Sequence, residues 1–462
     1  MPRRAPLRAT LASPIRAAVT LGALLATTVA SSRAQAKVSV QGTGLATAGW
    51  SDNILNAPND PVTNGPTRES DFLFQLSPGV VLTSAAPRLL QSVTYNFAAT
   101  LYARHSEANS YTNTLGWVGN VFSSPTTSLI LKAESQQGKV STFNLNQSSS
   151  GATVAVLPQN SNIRFFSQSV SESLEATPRA KWRVSQKLGF RLFAPIDRGT
   201  LPDSYNLAGD LGLDRIFTLD ALGLLLHVEL VDFVVPRDPT TNVAVGFDQR
   251  QVITSLVGRW RRDWSRSWSS EAALGVLALV GATSDPTTPT LTAWEPSALA
   301  ALRYATELGG GELRYAHDVA PNTLSGSTYS TDQVALQAGM PIVRAKLFFG
   351  ATVAYQHARR VSLIAGMPGD SANLALVDLT VGWKPIPELG VFARYSYLDQ
   401  IGNPPVNNVP SLLPNLTHNL VLVGVNVIYP AVAAARVSSQ PASRVDRSDQ
   451  AAVPELHAAQ PR

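Results

Sequence analysis

The sequence contains no cysteine. This absence excludes a disulfide framework, a thiolate metal site, a cysteine nucleophile and a lipid-bearing N-terminal cysteine. The fold must therefore be held together by non-covalent interactions.

The chain also lacks a long apolar run after Lys37, although 44% of its residues are hydrophobic. A membrane-spanning helix needs about 20 consecutive apolar residues, so helical spans are excluded from this part of the chain. Apolar residues alternate with polar ones instead. Val93, Tyr95 and Phe97, for example, alternate with Thr94 and Asn96. A period of two indicates strands with one apolar face and one polar face.

Excess basic charge is confined to the N-terminus. The sequence has 37 basic and 32 acidic residues, and residues 1–36 hold five arginines and no acid, so 32 of each sign remain beyond them. Arginines followed by an apolar run and an Ala34-Gln35-Ala36 pattern predict a cleaved export signal over residues 1–36. The near-neutral remainder gives no support for a nucleic-acid partner.

The connections between the predicted strands alternate between short and long. The short ones fall at Ala85–Arg88, Ser123–Thr126, Arg183–Gln186, Thr218–Ala221, Arg261–Ser267, Ala305–Gly309, Pro341–Arg344 and Pro385–Glu388. Between them lie longer segments rich in Pro, Asn, Ser and Gly, such as Lys139–Ser167. Outer-membrane barrels pair short periplasmic turns with long outer loops.

This alternation predicts an all-β fold, a transmembrane antiparallel up-and-down β-barrel of about 18 strands, with 16 to 20 strands compatible. The barrel would occupy residues 37–430, surrounded by outer-membrane lipids, with both ends on the periplasmic side. Residues 431–462 lose the apolar periodicity and are predicted to form a disordered periplasmic tail. A soluble solenoid or sandwich would also show alternation, but it has no reason to alternate its turn lengths.

Aromatic residues cluster near the predicted strand ends, as expected for the girdles that barrels place at membrane interfaces. The predicted girdle consists of Trp50, Trp182, Trp260, Trp264, Trp268, Tyr304, Trp383 and Tyr429. Trp50 lies at the outer end, and the others lie near periplasmic turns or the end of the last strand.

The face opposite the apolar one predicts which charged residues line the lumen. These candidates are Lys132, Glu134, Arg191, Asp210, Asp214, Arg259, Glu271, Arg314, Lys346, Asp378 and Arg394. Charges of both signs predict weak ion selectivity, since a selective pore carries a ring of one sign. The lining suits neutral, hydroxyl-rich solutes such as sugars, but residues that merely solvate the inner wall would give the same pattern.

Evidence for catalysis or cofactor binding is sparse. His105 and His357 lie at predicted outer strand ends, where a hydrolase of the outer rim would need them, but neither belongs to a nucleophile motif. The sequence has no metal-binding spacing of histidines and no phosphate-binding loop, so no catalytic residue, metal or cofactor is predicted.

Several stretches resemble those of large proteobacterial outer-membrane barrels: Gly42-Thr43-Gly44 and Gly49-Trp50-Ser51-Asp52-Asn53-Ile54 on the first strand, Leu76-Ser77-Pro78-Gly79 on the second, and Val423-Gly424-Val425 with Tyr429-Pro430 on the last. Within that group, the chain is similar to the porins that partner periplasmic polysaccharide-export proteins. The resemblance implies an outer-membrane conduit for exopolysaccharide, with a periplasmic partner docking near Arg261-Arg262-Asp263-Trp264. The alternatives are a passive diffusion porin for small sugars or nutrients and, third, an outer-membrane hydrolase.

Overall fold

The computed structural model describes residues 37–59, 67–141, 162–196, 201–236, 248–283, 291–322, 327–343, 346–361, 370–403 and 415–429. The predicted export signal, the predicted tail and residues 142–161 of the long segment Lys139–Ser167 lie outside the described residues. Within the described ranges, no helix is both long enough and apolar enough to cross a membrane.

Eighteen strands and one short 3-10 helix, Ser106–Ala108, make up the described secondary structure. The strands are β1 (Lys37–Ser51), β2 (Asp71–Ala86), β3 (Leu89–Tyr102), β4 (Ser110–Ser124), β5 (Thr127–Ser141), β6 (Asn162–Arg179), β7 (Trp182–Pro195), β8 (Asp203–Ile216), β9 (Asp220–Val234), β10 (Gln249–Asp263), β11 (Trp268–Thr283), β12 (Leu291–Thr306), β13 (Gly309–Asn322), β14 (Ser327–Val343), β15 (Leu347–Arg360), β16 (Ser371–Ile386), β17 (Leu389–Asn403) and β18 (Leu416–Tyr429).

The sheet closes on itself. Every strand pairs antiparallel with its neighbours along the chain, and β1 pairs with both β2 and β18. Trp50 of β1, for example, lies opposite Phe72 on one side and Val421 on the other. A closed sheet leaves no unpaired edge, which is the condition for a β-structure to survive in lipid. The predicted all-β barrel of about 18 strands is confirmed.

Six of the eight short turns overlap their predicted positions among the described residues. The predicted turn Pro341–Arg344 begins inside β14, and residue 344 lies outside the described residues. One prediction is wrong. The segment Arg183–Gln186 lies inside β7, and the turn is formed by Ala180 and Lys181. Pro178 explains the earlier turn: it has no backbone N–H to donate to the ladder, and the β6–β7 register shifts between Ala176 and Arg179.

The outer surface of the barrel is apolar. On β9, Leu222, Leu224, Leu226 and Val228 occupy alternate positions and are all exposed. Large exposed apolar belts are not compatible with water, and a closed antiparallel barrel with such a belt is the architecture of outer-membrane proteins. The protein is accordingly a multi-pass β-barrel of a bacterial outer membrane, and the opposite face of each strand lines the lumen.

Candidate functional site: the inner wall and mouth of the barrel

Alternation along the strands defines the inner wall, because directly paired residues on neighbouring strands share a face. Ten of the predicted lumen residues lie on this inner face: Lys132 and Glu134 on β5, Arg191 on β7, Asp210 and Asp214 on β8, Arg259 on β10, Glu271 on β11, Arg314 on β13, Asp378 on β16 and Arg394 on β17. Lys346 differs, because it lies in the turn between β14 and β15 and is exposed there.

Asp214 is a deeply enclosed acid of the inner wall, with only 2% of its side chain exposed. Arg259 donates to it twice, from Nε to Oδ1 at 2.6 Å and from Nη2 to Oδ2 at 2.7 Å. Arg183 donates from Nε to Oδ2 at 2.9 Å. Charge-assisted pairs of this kind are the strong class of hydrogen bonds, so this Asp214 cluster links β7, β8 and β10.

Two glycines make room for the Asp214 cluster. Gly223 of β9 lies between Asp214 and Arg259 in the register, and a Cβ there would lie 1.9 Å from Asp214 Oδ1. A Cβ on Gly212 would lie 2.9 Å from Arg259 Nη2. The Arg259 guanidinium therefore reaches Asp214 across β9 only because β9 carries no side chain at Gly223.

Three further clusters of ionisable side chains occupy the inner wall. Arg303 contacts Glu271 at 3.1 Å and Glu312 at 2.8 Å, and Arg394 contacts Asp378 at 2.5 Å. The third group joins His227 to Asp210 at 2.6 Å and to Glu229 at 3.4 Å. Sequence reasoning missed His227 as a wall residue, although its alternation with Leu226 and Val228 would have placed it there.

On one strip of the inner wall, which we call the open strip, the described charged side chains form no ion pairs. Among the described residues, no side chain forms an ion pair with Lys132, Glu134 or Arg191. Between these residues runs a ladder of serines on β6, formed by Ser167, Ser169, Ser171 and Ser173. The strip offers hydroxyls and charges of both signs to the lumen. In the sequence these serines recur at every second position, a pattern that could have predicted a row of hydroxyls on one face of β6.

The outer mouth is narrowed by strand ends that fold inward. β12 pairs with β13 only as far as Ala298 opposite His317, and its outer part, Leu291–Ser297, pairs only with β11. Beyond His317, β13 and the start of β14 stay paired with each other. We call residues 318–322 of β13 and 327–331 of β14 the inward hairpin. They project into the lumen, where each face of the pair contacts inner-wall residues.

One face of the inward hairpin packs on β10 and β11. Val319 belongs to a buried apolar cluster with Ile253, Leu277 and Leu279, all inner-wall residues. Thr328 donates a hydrogen bond to the side chain of Gln251 on β10. These contacts attach the hairpin to one side of the mouth.

The other face of the inward hairpin reaches the opposite side of the mouth. Tyr329 packs in a second buried cluster with Leu374, Leu398 and Leu416, which belong to β16, β17 and β18. The hairpin therefore bridges the outer lumen between β10–β11 and β16–β18.

The start of the β1–β2 connection is pinned to β18 beside this bridge. Ser51 Oγ lies 2.9 Å from His418 Nε2, and His418 Nδ1 lies 3.2 Å from Asn56 Oδ1. The contacts resemble the Ser-His-Asp and Cys-His-Asn sets of some hydrolases, in which a histidine lies between a nucleophile and an orienting side chain. Only 1% of Ser51 is exposed, however, so no substrate reaches its hydroxyl. The three residues fasten the connection to the barrel.

This structural role gives a chemical prediction. A fluorophosphonate probe, which labels activated serines, should leave the folded wild-type protein unlabelled. Labelling that disappears in Ser51→Ala would contradict the structural role and support the hydrolase reading. Of the two histidines at the outer rim, His105 Nδ1 lies 3.1 Å from Asp71, and His357 Nδ1 lies 2.8 Å from Asn373.

An ion pair adds to the attachment of the same connection. Arg68 contacts Asp52 at 2.5 Å, and Asn419 donates to Asp52 from both its backbone and its side chain at 2.7 Å. Burial raises the pKa of the Asp52 carboxyl, but these hydrogen bonds and the guanidinium outweigh burial and hold the pKa below its usual value. The pair therefore persists at neutral pH and weakens only as the pH falls through that lowered pKa.

The predicted girdle residues lie near the strand ends. The seven periplasmic members, Trp182, Trp260, Trp264, Trp268, Tyr304, Trp383 and Tyr429, lie in or beside the short turns or at the end of β18, and Trp50 lies near the outer end of β1. Trp268 and Tyr304 contact each other with ring centroids 4.7 Å apart. At the predicted partner-docking segment, residues 261–263 belong to β10, and the Arg262 guanidinium lies 4.5 Å from the Trp264 ring centroid.

Three tyrosines near the outer end form a row of hydrogen bonds that was not predicted from the sequence. The hydroxyls of Tyr315, Tyr355 and Tyr395 donate to a side-chain oxygen on the next strand, at 2.8–3.0 Å. The acceptors are Asp332, Asn373 and Asn419. The spacing of 40 residues between successive tyrosines was an available signal.

Among the described residues, no group of three or more His, Asp or Glu side chains is placed to hold a metal ion. No protein-family model matches the chain. No curated protein matches it.

Solved structures of similar fold include the alcaligin outer membrane receptor FauA of Bordetella pertussis, at 12% identity, covering 85% of this chain and 76% of that chain with a TM-score of 0.41. The ferripyoverdine receptor of Pseudomonas aeruginosa matches at 8% identity, covering 85% and 72%, with a TM-score of 0.42. OccK2 of Pseudomonas aeruginosa, solved with glucuronate, matches at 14% identity, covering 86% and 98%, with a TM-score of 0.42.

Proposed function

We propose that this barrel is an outer-membrane channel for small hydrophilic solutes, narrowed at its outer mouth by the inward hairpin. The inner wall carries the proposal: its charges are largely neutralised in pairs, and its open strip presents serine hydroxyls with both signs of charge. Such a wall solvates uncharged polar solutes through hydrogen bonds and favours no single ion. The exposed aromatic residues near the strand ends fit the membrane interfaces.

Single-channel conductance of the refolded protein in a planar bilayer tests this proposal, once heat-modifiable gel mobility shows that the barrel has formed. We expect steady, weakly ion-selective conductance from the protein alone. A folded barrel that does not conduct on its own would contradict it.

An exopolysaccharide export conduit is the second candidate. The observation in its favour is the bridged outer mouth, since a conduit for a polymer needs to stay closed until it is engaged. It predicts a barrel that stays silent alone and conducts when a periplasmic polysaccharide-export protein is added. The same bilayer recording distinguishes the two functions.

The unpaired cations of the open strip give a selectivity prediction. In the double variant Lys132→Ala/Arg191→Ala, Glu134 becomes the unpaired charge of the strip, so the reversal potential in a KCl gradient should shift toward cations. Folding stability should change little, because neither cation has an ion-pair partner among the described residues.

Lys346→Ala is the matched control for this selectivity change. It removes a cation from the exposed β14–β15 turn rather than from the inner wall. An equal shift of the reversal potential in this control would show that the open strip does not set selectivity.

A further inference from the structure

One carboxylate, that of Glu172, lies on the outward, lipid-facing side of the barrel. Glu172 of β6 is paired in the register with Leu131 of β5 and Leu188 of β7, and Leu188 is an exposed residue of the lipid-facing belt. Its neighbours on the same face of β6 are Val170, which is exposed, and Leu174. Glu172 therefore points away from the lumen.

Glu172 also lies far from either membrane interface. On β7 the outward-pointing row runs from Trp182 at the periplasmic end to Leu192, which is itself buried, and the residue opposite Glu172 is in the middle of that row. A carboxylate at this depth is costly on a lipid-facing surface and becomes tolerable when another protein supplies hydrogen-bond donors. Among the described residues, no side chain hydrogen-bonds or ion-pairs with it.

Two glutamines extend the polar character of this surface. Gln168 of β6 and Gln186 of β7 lie on the same outward face, opposite Leu192 and Leu174. The described residues give neither amide a hydrogen-bond partner. The lipid-facing rows of β9 and β11 show the contrast, since β9 carries leucines and valine and β11 carries alanines, leucine and valines at the corresponding depth.

We propose that the outward face of β5–β7 around Glu172 is the contact surface for a second copy of this chain. Each glutamine amide both donates and accepts, so the polar stripe of Gln168, Glu172 and Gln186 is complementary to itself. Around a twofold axis, the Glu172 carboxylate of one copy accepts from the Gln186 amide of the other, and the reverse contact forms at the same time. Contacts between transmembrane helices use polar side chains in this way, because lipid tails offer no hydrogen-bond donors, and the same reason applies to the outer face of a barrel.

Disulfide cross-linking tests the contact with a clean background, because the chain has no native cysteine. Val170→Cys places a thiol beside Glu172 on a side chain that is 40% exposed. Leu224→Cys on β9 is the matched control, at 57% exposed on the same outer surface. Oxidation in purified native membranes should give a covalent dimer from Val170→Cys and none from Leu224→Cys.

A second substitution tests whether the cross-link depends on the Glu172 carboxylate. Adding Glu172→Leu to Val170→Cys should reduce the cross-linked fraction several-fold, and adding Glu172→Gln should preserve most of it because the amide still makes hydrogen bonds. Equal cross-linking of all variants, its absence, or a product whose mass shows a different protein would overturn the contact between copies. Conductance per barrel should be unchanged by Glu172→Leu, so this result is independent of the proposed channel function.

Discussion

Asp214→Asn should lower the free energy of unfolding of the barrel by about 3 kcal/mol. The substitution keeps the shape of the side chain and removes the charge that holds Arg183 and Arg259. The Arg259 guanidinium then remains on a largely enclosed stretch of wall without its carboxylate, whereas Arg183 keeps its contact with Glu175 at 3.7 Å. Leaving a buried charge unpaired is the costly outcome, far more so than removing the whole pair. Urea unfolding in lipid vesicles, followed by tryptophan fluorescence and gel mobility, measures the loss.

Asp232→Asn is the control for this loss. Asp232 also pairs with an arginine, Arg250, at 2.7 Å, but 67% of the Arg250 side chain is exposed. Exposed pairs contribute about 0–1 kcal/mol, so the control should stay close to the wild type. Adding Arg259→Gln to Asp214→Asn should cost less than the two single effects together, because the double variant removes both members of one contact. Additive losses would contradict direct coupling.

Gly223→Ala should damage the Asp214 cluster without touching any charge. The added Cβ would lie 1.9 Å from Asp214 Oδ1, so the carboxylate or the strand must move. Gly350→Ala is the matched control, since a Cβ at Gly350 meets nothing within 4 Å. A similar loss of stability in both variants would point to a general sensitivity of glycines rather than to the cluster.

The Asp214 cluster shows how far sequence reasoning reaches. Alternation along β8 and β10 was enough to predict the inward face for Asp214 and Arg259. It was not enough to predict that they pair, because the two residues come from strands that are not neighbours. The contact depends on Gly223 in the strand between them, and a glycine in a strand pattern has no unique meaning. Lys346 shows the opposite failure, since the alternation was extended past the end of a strand into a turn.

The inward hairpin lay beyond the reach of the sequence for another reason. The sequence through β13 and β14 reads like any other pair of strands, and the two strands do stay paired. What changes is that β13 separates from β12 after His317, which is set by the packing of Val319 and Tyr329 on distant strands. Tertiary contacts of this kind leave no period in a local stretch of sequence.

Removing the inward hairpin should increase single-channel conductance several-fold. His317 and Asp332 lie directly opposite each other, so a two-residue Asn-Gly turn can join them in place of residues 318–331. The remaining parts of β13 and β14 keep their register, and the bridge between β10–β11 and β16–β18 disappears. Liposome swelling should then admit larger sugars than the wild type admits. If the wild type is silent, the shortened protein should conduct.

A milder variant tests the same prediction if the shortened protein fails to fold. Val319→Ala/Tyr329→Ala keeps the chain length and removes the side chains that pack on the two sides of the mouth, so conductance should rise and become noisier as the hairpin loosens. Leu313→Ala is the control, since Leu313 lies on the same strand but faces lipid. Unchanged conductance in both hairpin variants, with the barrel intact by gel mobility, would mean that the bridge does not limit the pore. The resistance would then lie elsewhere along the lumen, with the charged wall as the next place to measure.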